Sequence, residues 1–159
     1  MNAYTDAYWG GNIDDKRRTS GGALFLGRRL FTWTSKKKSC TSQSIAEAEY
    51  VTAAINYTNI VWIKHLLKGM KGEITKPVIL YYDNTSAINI SKNHVMHAKT
   101  KHIAIKYHYV RERVEDKQVK MEYIHSKEQI SDIFTKPLPK DDFEYLRSKL
   151  GVKPLSRAI

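Results

Sequence analysis

The chain has 159 residues, 42% of them hydrophobic, and a formal net charge of +11. That size suits one domain with a core of its own, and the apolar content excludes wholesale disorder. A single cysteine, Cys40, excludes an intrachain disulfide and a cysteine-built zinc site, and no apolar stretch is long enough to span a bilayer.

Asn2 to Trp9 alternates, with Tyr4, Asp6 and Tyr8 on one face and Ala3, Thr5, Ala7 and Trp9 on the other, and reads as a strand. Met1 runs almost directly into it, as if the chain were a piece of something longer, and no secretory signal is visible. Gly10 to Arg18 reads as a loop. Ala23 to Leu26 and Leu30 to Thr34 flank Gly27-Arg28-Arg29 as a hairpin, and Ser35 to Ser39 reads as a basic connection. A long helix is expected from about Ser44 to Met70, with Ala48, Val51, Ile55, Trp62, Leu66 and Met70 as its apolar stripe and Gly69 and Gly72 at its end.

Val78 to Tyr82 is apolar on both faces, as expected of a central strand covered on both sides. Asp83 or Asn84 can cap a short helix to about Lys92, and another helix is expected from near Thr100 to Glu115. Val119 to Ile124 alternates as a last strand. Ser126 and Gln129 have capping-box spacing before Ile130, Ile133 and Phe134. Pro137 and Pro139 end that helix, and Asp141 can cap a final one carrying Phe143, Leu146 and Leu150 and closed by Gly151. The order βββαβααβαα predicts an α/β fold, a mixed five-stranded sheet with helices on both faces. Residues 1–138 are expected to form the domain, with residues 139–159 as a C-terminal helix and tail packed on it or extending from it.

Four acids occupy places that do not suit a lone carboxylate. Asp6 is mid-strand, Glu49 is in the first turn of the long helix, Asp83 ends the apolar strand and Asp132 lies in a short helix. Burying an unpaired charge costs several kcal/mol or more, and converging carboxylates would instead cage hard divalent cations. Asp83 lies beyond the carboxyl end of a strand, where ligands gather in open α/β sheets. Two magnesium ions at such a site could act on a phosphodiester. Taken singly, each acid also has an ordinary use: a solvated strand edge for Asp6, a helix cap for Asp83, a surface charge for Asp132 and the helix dipole for Glu49. The positive balance of the chain independently favours an anionic partner, nucleic acid first.

The words around the acids carry a resemblance. Tyr4-Thr5-Asp6-Ala7, Ser20-Gly21, Trp33-Thr34-Ser35-Lys36-Lys37 and Ala46-Glu47-Ala48-Glu49-Tyr50 resemble the ribonuclease H region of copia-type LTR retrotransposon polyproteins. So do Asp83-Asn84, the run His97 to Ile103, Arg111-Glu112, and Gln129 to Pro139 with Asp132-Ile133-Phe134-Thr135-Lys136-Pro137 at its centre. The motifs keep their order over about residues 3 to 150. The resemblance implies a ribonuclease H-like fold and an endoribonuclease that cuts the RNA strand of an RNA–DNA hybrid during reverse transcription. It implies Asp6, Glu49, Asp83 and Asp132 as catalytic, metal-binding acids for two Mg2+ ions, with Mn2+ as a substitute. It implies the reverse transcriptase polymerase domain as a neighbour in a parent polyprotein. The implied location is intracellular, in a cytoplasmic virus-like particle or the nucleus, with no membrane partner.

Glu47 is a rival to Glu49. The two lie on opposite flanks of the apolar stripe, so periodicity does not choose, whereas the family's acid followed by a large apolar residue fits Glu49-Tyr50 better. Tyr8 departs from the family, many members of which have an acid there. His125, in the loop before Asp132, has a loose counterpart in the loop histidine of cellular ribonucleases H and is a candidate for proton transfer. His94, His97, His102 and His108 lack zinc-like spacing. For substrate, Arg28, Lys36 and Lys37 are candidate phosphate contacts, and Ser42, Ser44 and Asn84 candidate RNA-strand contacts. The alternatives are a non-catalytic nucleic-acid-binding module of the same fold, domesticated or detached, and a DNA strand-transfer nuclease.

Overall fold

The computed structural model describes residues 1–8, 19–37, 45–72, 74–85 and 112–154, excepting the side chains of residues 45–51. Strands β1 (Asn2–Tyr8), β2 (Thr19–Leu26) and β3 (Arg29–Lys37) pair antiparallel in succession. Helix α1 (Ile45–Gly69) then leads to β4 (Val78–Tyr82), which lies parallel to β1, and β5 (Val119–Tyr123) lies parallel to β4. The result is the expected mixed five-stranded sheet, in the order β3-β2-β1-β4-β5. Two 3-10 segments, Ser126–Glu128 and Ile130–Phe134, and a C-terminal helix, Lys140–Leu150, follow. Sequence expectations for residues 9–18, 38–44 and 86–111 lie outside the described residues, Ser42, Ser44, Cys40 and the four clustered histidines among them; the expected helix ending at Glu115 is represented by helical residues 112–115.

Strand alternation sorts the sheet into two faces. One carries Ala3, Leu24, Val78, Leu80, Val119 and Met121, packed against Ala53, Tyr57, Ile60 and Ile63 of α1. The other carries Ala23 and Phe25, packed with Ile130 of the second 3-10 segment and Leu150 of the C-terminal helix. Tyr4 stacks on Tyr81 of the neighbouring parallel strand on this second face, with centroids 4.9 Å apart. Helical elements therefore cover both faces.

Several local expectations are corrected. Over its described side chains α1 buries a different stripe: Trp62, Leu66 and Met70 of the expected one are exposed and Ile55 is half-buried, while the buried apolar residues are Ala53, Ala54, Tyr57, Ile60 and Ile63. Both sets recur every three or four residues, so period alone fits either. The small alanines let α1 approach the sheet. Ile63→Ala is expected to cost about 2–5 kcal/mol in urea unfolding, and Leu66→Lys less than about 0.5 kcal/mol; the reverse ranking would contradict this packing face. At the end of α1 the left-handed residue is Lys71, at φ 60, and the Gly72 N–H reaches Leu67 O at 2.8 Å.

Strand β3 also continues through Lys37, where a connection was expected after Thr34. No capping box forms at Ser126: Gln129 is fully buried, and its side-chain amide donates to Thr5 O at 3.1 Å. Asp132 accordingly sits in a 3-10 segment. The C-terminal helix is capped by Pro139, with Asp141 in its first turn, and Gly151 closes it at φ 75 as expected.

Candidate metal centre

The register builds the centre. Asn2, Ala3 and Tyr4 of β1 align with Ile79, Leu80 and Tyr81 of β4. Two further steps along both strands reach Asp6 and Asp83 on the face that bears Tyr4 and Tyr81. The second 3-10 segment packs on this face and brings Asp132. One carboxylate oxygen from each of Asp6, Asp83 and Asp132 lies within 4.8 Å of the others. Asp6 and Asp132 are buried, and Asp83 is half-buried where an open cavity of about 400 Å³, also lined by Asn84, Thr85 and Tyr123, meets the cluster.

Close packing holds these acids in place. Asp6 pairs with Gly21 across the β1–β2 ladder. A Cβ on Gly21 would lie 2.5 Å from Thr135 Cγ2 and 3.0 Å from Ser131 O, so glycine is what admits the Asp132 segment. Thr135 thereby comes close enough for its hydroxyl to donate to Asp6 Oδ2. Lys136 Nζ lies 2.6 Å from Asp132 Oδ2. Gln129 ties the start of the segment to Thr5 O, and the Ser35 hydroxyl ties its end to Phe134 O at 2.7 Å. Trp33 stacks on Phe134, with planes 6° apart.

Burial pushes Asp6 above the ordinary aspartate range, the Thr135 hydrogen bond opposes this, and the nearby Asp83 charge adds to it. Burial raises Asp132 to about 7, opposed by Lys136 and supported by the charges of Asp6 and Asp83. Burial by itself would lower Lys136, but the hydrogen bond and charge of Asp132 hold it above its usual value. Asp132 Oδ1 is buried without a hydrogen-bond partner. A buried, unpartnered oxygen beside two more carboxylates fits a divalent cation, because an unsatisfied acceptor and crowded like charges are both costly.

The sequence candidates divide by place. Asp6, Asp83 and Asp132 converge, and Asn84 lines the cavity with Asp6 and Asp83. Glu49 and Glu47 lie in the first turns of α1, where side chains are outside the described residues. Lys36 and Lys37 pair with Ser20 and Thr19, at the acid end of the hairpin. Arg28 is in the turn at its other end, roughly 20 Å of strand from Gly21. His125 is exposed, its Nδ1 accepts from Lys127 N at 3.2 Å, and it does not line the cavity. Sequence reasoning assigned no role to Thr135 or Lys136, and gave Gln129 only a helix-capping one. The i, i+4 spacing of Asp132 and Lys136 was an available signal for that pair.

No protein-family model matches the chain. It is 36% identical over 152 residues to the retrovirus-related Pol polyprotein from transposon RE1 of Arabidopsis thaliana, covering 96% of this chain and 10% of that protein. It is 35% identical over 152 residues to the Pol polyprotein from transposon TNT 1-94 of Nicotiana tabacum, covering 96% of this chain and 11% of that protein. The chain thus spans about a tenth of the length of these relatives. Among solved structures it is similar to LC11-RNase H1 in complex with RNA/DNA hybrid, with a TM-score of 0.61 and 13% identity over 84% of this chain and 92% of that one. The sheet and these similarities agree: the chain belongs with the Pol polyproteins of plant copia-type retrotransposons, as a segment with the ribonuclease H fold.

Proposed function

We propose that the chain is a metal-dependent endoribonuclease that hydrolyses the RNA strand of RNA–DNA hybrids. The observation that carries this reading is the meeting of Asp6, Asp83 and Asp132, with Asp132 Oδ1 buried and unpartnered, at the mouth of an open cavity. These three acids, with Glu49, would hold two Mg2+ ions, Mn2+ substituting. Bound there, such ions acidify an attacking water and neutralise charge on the leaving oxygen.

The chain's own groups do the positioning. Asp6 is central, reached by Asp83 on one side and by the Asp132 segment on the other. Support for Glu49 over Glu47 is indirect: Thr52, one turn on, donates to Ser20 Oγ at 2.9 Å, and Ser20 neighbours the glycine paired with Asp6. Lys36 and Lys37 at the acid end of the sheet suit phosphate contacts, and Ser42, Ser44 and Asn84 suit the 2′-hydroxyl side of a wide minor groove. His125 keeps a proposed part in proton transfer through Nε2, since its Nδ1 accepts from Lys127 N. A protein of this fold is described with an RNA/DNA hybrid, and the relatives are Pol polyproteins, so a polymerase domain in a parent polyprotein is the proposed neighbour. Among the described residues, no helix is long and apolar enough to cross a membrane.

The test is incubation with labelled RNA–DNA hybrid, duplex DNA and duplex RNA, with and without Mg2+. Cleavage confined to the RNA of the hybrid and lost in EDTA is expected. Binding without cleavage would favour the non-catalytic module, and cutting of duplex DNA a strand-transfer nuclease.

A further inference from the structure

Two adjacent residues divide the oxygens of the buried acids. Thr135 Oγ1 donates to Asp6 Oδ2, and Lys136 Nζ lies 2.6 Å from Asp132 Oδ2. The remaining oxygen of Asp132 has no partner, in a residue only 4% exposed. Each holder thus engages one oxygen and leaves the other to the cluster.

The two holders differ in freedom. Thr135 is buried, and its N–H and hydroxyl both reach Asp132 O, at 3.1 and 3.2 Å. Lys136 has a side chain 27% exposed against 6% for Asp132, and its ammonium lies 6.0 Å from the ring centroid of Tyr8, at the solvent margin of β1. A long stem at a solvent margin can move its charge into water while the stem stays packed. Three crowded carboxylates need compensating charge, and Lys136 is the cation that the described residues bring into contact with one of them.

We propose that Lys136 is the resident counter-cation of the acid cluster, with which a divalent ion must compete, and that Thr135 holds Asp6 in the ligating orientation. This rests on the metal-centre reading above. Lys136 is a positioning residue: it keeps the acids together before metal arrives and lowers their affinity for it. Lys136→Met keeps most of the stem and removes the charge. It is expected to tighten Mn2+ binding on the order of tenfold and to lower the Tm in EDTA, with the deficit vanishing in saturating Mn2+. Lys136→Arg is expected to restore the parent's behaviour in both respects, and Thr135→Val to weaken Mn2+ binding.

The experiment is calorimetric titration of Mn2+ into the 159-residue chain and these variants, with thermal unfolding in EDTA and in saturating Mn2+. Tighter binding by Lys136→Met with a metal-reversible loss of Tm supports the proposal. A parent that binds Mn2+ and a Lys136→Met variant that binds no tighter, or whose Tm deficit persists in Mn2+, overturns the competition alone. A parent that binds no Mn2+ overturns the metal-centre reading and the competition with it.

Discussion

Asp6→Asn is expected to lower hybrid cleavage by about a thousandfold or more, while the chain in EDTA unfolds at or above the parent's Tm. The loss follows from the proposed role of Asp6 as a metal ligand: one ligand fewer would remove several kcal/mol of charge stabilisation, each ~1.4 kcal/mol being tenfold in rate. The stability follows from the same burial. Desolvation and the Asp83 charge both disfavour the ionised Asp6 carboxyl, and asparagine has its shape without its charge. Its amide oxygen can still accept from Thr135, and its amide nitrogen can donate to a neighbouring carboxylate. A side chain present only to support β1 would show the opposite pattern, with Tm lost and activity falling only in proportion. Activity against hybrid and thermal unfolding in EDTA, measured on the same preparations, check both halves.

The second large effect is a stability profile that divalent metal reverses. Asp132 is raised from 3.8 to about 7 by burial first, with Lys136 opposing and the Asp6 and Asp83 charges adding to the rise. Between those values the folded chain keeps a proton that the unfolded chain releases. Stability in EDTA contributed by this group therefore falls as pH rises from about 4 to about 7 and is level above. Asp6 shifts in the same direction. Lys136, held high by Asp132 against its burial, contributes stability that persists until its own alkaline titration. Mg2+ or Mn2+ requires the deprotonated acids, so added metal should stabilise the chain most above pH 7. The difference in Tm between parent and Asp132→Asn across this range isolates the effect from the general charge of the chain. A parent whose Tm in EDTA rises relative to Asp132→Asn over that window would contradict the burial of Asp132.

The acids were visible in the sequence to different degrees, for physical reasons. Asp6 and Asp83 could be placed because period two is strict in strands, so that Tyr4 and Asp6, and Tyr81 and Asp83, share a face once β1 and β4 pair. Asp132 was found through the words around it, since its 3-10 geometry is held by long-range contacts. Gln129 looked like a capping residue because the local spacing fits, but its partner is Thr5 O, far away in sequence and part of the central strand. Thr135 and Lys136 were visible as family words without a role, because only the tertiary approach permitted by Gly21 brings them to the acids. The face of α1 was misread because the helix bears two apolar stripes, and a helical period cannot say which one the sheet selects. The choice between Glu49 and Glu47 rests on the family pattern and on the anchoring of Thr52 beside Ser20.

End-group analysis of the products formed from a hybrid carrying labelled RNA bears on every part of this reading at once. Hydrolysis by a metal-activated water at the acid cluster predicts RNA fragments with no 2′,3′-cyclic phosphate, because water and not the neighbouring 2′-hydroxyl attacks. It also predicts that these products form in Mg2+ or Mn2+ and disappear in EDTA and in Asp83→Asn. An intact hybrid in both metals at low salt, where phosphate contacts are strongest, or cleavage that survives Asp83→Asn, would contradict it.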